Sequence, residues 1–61
     1  MVWYIRFVRD GTMTRDGTAF EKRQDAIAIV RRDWAKGILD TAYIEDHDGN
    51  RIEWDEIRKD L

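Results

Sequence analysis

A chain of 61 residues has room for one domain with a thin core, because short chains bury a smaller share of their surface than long ones do. Charged residues make up 39% of it and apolar ones 43%, with a formal net charge of −2, which excludes the weakly apolar, one-signed composition of a disordered segment. The absence of cysteine excludes disulfides and thiolate metal sites, and with them any sign of an oxidising compartment, so a cytoplasmic location is expected.

The first element is a strand. Trp3, Ile5 and Phe7 alternate with Tyr4, Arg6 and Val8 in a period of two, which places the two sets on opposite faces. This run is broken by Arg6 and is far shorter than a membrane span, so neither a leader peptide nor a membrane segment is expected. Asp10-Gly11 suits a tight hairpin turn, since glycine accepts positive φ without steric cost and aspartate tolerates it. Asp16-Gly17 repeats that signal. Between the two, Thr12-Met13-Thr14-Arg15 reads either as a short strand paired with the first or as an ordered loop.

Thr18-Ala19-Phe20-Glu21 fits a capping box, with the helix proper beginning there or two to three residues later. Ala26, Ile27, Val30 and Trp34 then recur at helical spacing as one apolar stripe, while Lys22, Asp25, Arg32 and Lys36 fall outside it. Gly37 is placed to end the helix in the left-handed conformation. Thr41 to Asp46 resumes a period of two, Asp46-His47-Asp48-Gly49-Asn50 forms a turn, and Arg51-Ile52-Glu53-Trp54 returns, which describes a β-hairpin. Asp55 is positioned to cap a last helical turn, in which Ile57 and Leu61, four apart, can dock on the sheet margin.

The expected fold is therefore α+β: a mostly antiparallel sheet of three or four strands, in the order β(β)αββ, with one amphipathic helix on one face and a short helical turn at the end. Its expected core is Trp3, Ile5, Phe7, Ala26, Ile27, Val30, Trp34, Ile44, Ile52 and Trp54.

Chemistry is hard to find in this sequence. One histidine, no cysteine and no serine remove most arrangements of nucleophile and base, and a carboxylate pair such as Glu45 with Glu53 would need a cleft that so short a chain does not enclose. No catalytic residue and no cofactor are assigned. The cluster at Asp46-His47-Asp48 invites a comparison with calcium loops, but the required glycine falls at Arg51 and the bidentate acid at Ile57, so no metal site is assigned either.

Two surfaces remain. The face opposite the helix should carry Tyr4, Arg6, Val8, Tyr43, Arg51 and Glu53, an amphipathic set with two tyrosines suited to homodimerisation or to no more than a wet sheet face. The second surface is acidic. Residues 1 to 39 hold eight basic and five acidic side chains, a net +3, whereas residues 40 to 61 hold three and eight, a net −5. Asp40, Glu45, Asp46, Asp48, Glu53, Asp55, Glu56 and Asp60 are expected to gather at one end, either as a solvated face or as an imitation of phosphates that docks on a basic protein surface. Arg23, Arg31, Arg32 and Lys36 offer a third, weaker option, a nucleic-acid-binding helix, against which a pI near 5.2 counts.

The sequence Tyr4-Ile5-Arg6-Phe7, Asp10-Gly11, Asp16-Gly17-Thr18, Phe20, Asp25-Ala26-Ile27 and Asp48-Gly49-Asn50-Arg51-Ile52 resembles small bacterial and phage α+β domains. In size, acidity and lack of catalytic groups the chain is also similar in type to phage-encoded anti-CRISPR inhibitors. That likeness implies a non-enzymatic inhibitor that occupies the nucleic-acid-binding site of a larger complex, in a host cytoplasm.

Overall fold

The computed structural model describes residues 2 to 59. Strands β1 (Trp3–Arg9) and β2 (Thr12–Phe20) are followed by helix α1 (Arg23–Ala35), strands β3 (Thr41–Asp46) and β4 (Arg51–Ile52), and a short helix α2 (Trp54–Ile57). The strands form one antiparallel sheet in the order β2-β1-β3-β4. Helix α1 packs against β1, β2 and β3, and α2 against β3 and α1. Both helices thus cover the same face and leave the other open.

The second strand is real and much longer than four residues. Asp10 (φ 51°) and Gly11 (φ 80°) both take positive φ, the geometry that lets a two-residue loop match the twist of its flanking strands. Asp16-Gly17, read in sequence as a second turn, does not reverse the chain. It lies inside β2 as a bulge: Tyr4 pairs with Ala19 and Arg6 with Arg15, so β2 spends two extra residues across that interval. The Asp16 carboxylate accepts the Thr18 N–H at 2.9 Å, which holds the bulge locally.

The capping box is also corrected. Thr18 to Phe20 belong to β2, and the cap of α1 is Lys22, whose side chain makes no capping hydrogen bond. Pairing with β1 outweighs the local capping preference. The other end of the helix behaves as its sequence predicts: Gly37 (φ 75°) donates to the Trp34 carbonyl at 3.0 Å and Ile38 to that of Asp33 at 2.9 Å, a Schellman motif. A Cβ at Gly37 would meet nothing within 4 Å, so Gly37→Ala should lose about 1 kcal/mol through backbone strain alone. Gly17 has equally open surroundings and no positive φ, so Gly17→Ala should be neutral or gain about 0.4 to 1 kcal/mol. Thermal melts of the two variants measure the contrast.

Ile5, Ala26, Val30, Leu39, Ala42, Ile44, Ile52 and Ile57 form the buried core, with Trp3, Phe7, Phe20, Ile27, Ile29 and Trp54 packed around it. Trp34 is the exception to the expected set, at 43% exposed. It lies on α1 beside the other helix, where its ring is 6.1 Å from that of Trp54. Trp54 and Glu53 are corrected too. β4 ends at Ile52, Glu53 is the exposed cap of α2, and Asp55 sits within that helix paired with Arg58 at 3.0 Å, so it does not cap it. The docking expected of Leu61, like the acidic Asp60, lies outside the described residues.

Candidate functional site

Strand alternation decides what the open face carries. Directly opposed residues in antiparallel strands point the same way, so the pairs Tyr4 with Ala19 and Glu45, Arg6 with Arg15 and Tyr43, and Val8 with Met13 and Thr41 lie on one face. Arg51, opposite Glu45, joins them from β4. This is the expected set without Glu53 and with Met13, Arg15, Ala19, Thr41 and Glu45 added.

These side chains are organised. The Arg15 guanidinium carbon sits over the Tyr4 ring at 4.8 Å from its centre, and that of Arg51 over the Tyr43 ring at 4.5 Å. Each pair places a cation on the negative face of a phenol. Between them lies Arg6, whose Nε contacts Glu45 Oε1 as an ion pair without forming an aligned hydrogen bond. Glu45 also reaches Arg51 at 3.4 Å. His47, on the turn after β3, meets Tyr4 edge to face at 5.2 Å, and the Tyr4 hydroxyl lies 3.1 Å from its Nε2. A row of three guanidiniums and two phenols therefore crosses all four strands.

Charge is segregated accordingly. Three arginines against one glutamate give this face +2, and the remaining eight basic and twelve acidic residues give the rest of the chain −4. The single carboxylate is shared by two guanidiniums, so little negative charge is left to offset the third.

The acidic residues are not brought to one end. Asp40 precedes β3 and lies at the β1–β2 turn, where its carboxylate accepts the Asp10 N–H at 3.2 Å. Asp46 closes the same strand, roughly 20 Å away at about 3.3 Å per residue. Glu45 belongs to the open face. Asp46 points the other way and is 5% exposed beneath the turn that follows it. Its Oδ1 accepts the backbone N–H groups of Asp48 and Asn50 and its Oδ2 the Asn50 side-chain amide, all at 2.9 Å. The Asn50 side chain is the largest influence in holding the Asp46 carboxyl below its ordinary range; burial opposes it, and the two backbone donors add to it. Asp46 is therefore a turn organiser. Glu56 is paired with Arg23 at 3.4 Å, which leaves Asp48 and Glu53 as acids with no partner described above.

Among the described residues no three of His, Cys, Asp and Glu converge as a metal site, and no helix is long and apolar enough to cross a membrane. An open notch of about 460 Å³ lies between the helices, lined by Trp34, Trp54, Asp55, Arg58 and Lys59. No protein-family model, curated protein or solved structure matches the chain.

Proposed function

We propose that this protein is a non-enzymatic recognition module that binds an anionic macromolecule through the open face of its sheet. One observation carries the reading: Arg15, Arg6 and Arg51 form a row with Tyr4 and Tyr43 on a face that no helix covers, and only Glu45 offsets them. Rigid aromatic rings bearing guanidinium groups give large contact area and directed donors at low entropic cost, the composition favoured where surfaces recognise partners. Self-association through this face is disfavoured, because it would set one +2 surface against another. An inhibitor acting through the acidic residues lacks comparable support, since their side chains are spread over both ends of β3 and several are already paired.

Inorganic polyphosphate is a suitable first probe, as it offers charge alone. In low salt it should shift backbone amide resonances of β1, β2 and β3 around the outward residues and leave those of α1 in place. The shifts should vanish near 1 M salt, where the screening length falls to about 3 Å. Arg15→Glu with Arg51→Glu should abolish them at every salt concentration. Shifts confined to α1, around Arg23 and Arg32, would instead support a helix-borne site and defeat the proposal.

A further inference from the structure

We infer that the anionic partner is a single-stranded nucleic acid, whose bases stack on the tyrosine and arginine layer while its phosphates meet the guanidinium edges; this rests on the reading of the open face given above. Three observations support the choice over an acidic protein segment. First, the face is aromatic as well as basic, and a carboxylate partner would have no use for ring faces, whereas every base has one.

Second, the rings are suitably spaced. Tyr4 opposes Glu45 and Tyr43 opposes Arg6, so the two tyrosines are diagonal neighbours on adjacent strands, about 7 to 8 Å apart at the backbone. An extended single strand covers a similar distance from one base to the next. Third, each ring already carries a guanidinium on one side. A guanidinium is planar, so its outer side accepts a base in the same stack while its N–H edge donates to phosphate. Arg6, between the two stacks, is placed for the intervening phosphate. His47, edge-on to Tyr4, borders the row at its β3 end.

A duplex suits the face less well. Its bases are already stacked inside the helix and would not reach phenols on a gently twisted sheet. The acidic remainder of the molecule, at −4, would repel phosphates approaching from any other side and so confine the strand to this face.

The test compares four probes of matched charge by fluorescence anisotropy or competition: labelled oligo(dT), a dA·dT duplex of half its length, inorganic polyphosphate and polyglutamate. Oligo(dT) should bind most tightly, and log K should fall against log salt with a slope of about −1.4, as expected for the +2 of this face neutralising two phosphates on a single strand. Tyr4→Leu and Tyr43→Leu keep apolar bulk without a ring, and each should weaken oligo(dT) roughly 5- to 150-fold while barely changing polyphosphate. Arg15→Ala should weaken both and reduce the slope by about 0.7. Circular dichroism melts confirm that each variant is folded, and Tyr43→Phe, which keeps the ring, should bind as the parent does.

If oligo(dT) binds no more tightly than polyphosphate, or if the leucine variants bind it normally, the nucleic-acid assignment fails and the anionic-partner reading survives. Tighter binding of polyglutamate or of the duplex likewise overturns the assignment. If none of the four binds at low salt, the reading of the face fails with it.

Discussion

Ile57→Ala is expected to leave the protein largely unfolded in water at room temperature. Ile57 belongs to a helix of a single turn, yet its side chain has no solvent exposure and joins the core formed by Ile44, Ile52 and Val30. Removing a buried isoleucine down to its Cβ costs about 2 to 5 kcal/mol, and a core of this size supplies only about 3 to 5. The two quantities are equal within their range. The Ile57 carbonyl, which alanine keeps, accepts the Arg31 side chain at 2.9 Å and ties α2 to α1, so this bond is lost only if α2 undocks. Urea titration followed by far-UV circular dichroism should show the cooperative transition of the parent missing or shifted close to zero denaturant. Ile57→Val, which keeps most of the volume, should lose about 0.5 to 1.5 kcal/mol and remain folded. A parent-like midpoint for the alanine variant would mean that α2 is not docked.

The second large effect concerns Asp46, and it depends on pH. Its carboxylate is the acceptor on which the 46 to 50 turn is built, and the hydrogen bonds from Asn50 and Asp48 lower its folded pKa below the ordinary value of 3.8. A lowered folded pKa means that the folded form favours the charged carboxylate. The resulting stability is complete above the unfolded pKa and is lost as pH falls through the folded one. Asp46→Ala should therefore lower the urea midpoint clearly at pH 7 and much less near pH 3, where the parent has begun to lose the same interaction. Asp46→Asn, which retains acceptor capacity at one oxygen, should fall between the two at pH 7. A gap between parent and Asp46→Ala that stays constant from neutral to acid pH would show that charge at Asp46 contributes nothing.

Much of this architecture is legible in the sequence wherever a signal is both local and periodic. The alternation of Trp3, Ile5 and Phe7, the Asp10-Gly11 turn, the glycine ending α1 and the hairpin around Asp48-Gly49 depend on residues close in the chain, and the structure reproduces them. The failures occur where distant pairing overrides a local preference. Asp16-Gly17 carries the chemistry of a turn, but β1 continues to pair on both sides of it and makes it a bulge. Thr18 to Glu21 has capping chemistry, but three of its four residues end a strand. Ala42 and Leu39 fall outside the expected core because a small residue and a loop residue give weak periodic signals, yet both are buried in it.

The site was half legible. Tyr4, Arg6, Val8, Tyr43 and Arg51 follow from alternation alone and occupy the expected face. Arg15 joins the face through long-range pairing of β2 with β1, which sets it opposite Arg6 and changes the character of the face from amphipathic to basic. The acidic grouping failed for a complementary reason. Net charge by segment takes no account of alternation, which sends the neighbours Glu45 and Asp46 to opposite sides of the sheet.

The two margins of the sheet are unequal, β2 with nine residues and β4 with two. A fibril that grows sideways, strand upon strand, needs a receptive border at each end of every copy, and here one border is too short to act as a template. On the longer side the bulge at Asp16-Gly17 divides the border into two short paired stretches, Thr12 to Arg15 and Ala19 to Phe20. Lateral stacking of this protein should therefore stop after a single junction, which protects a chain that has neither proline nor a covalent crosslink to guard it.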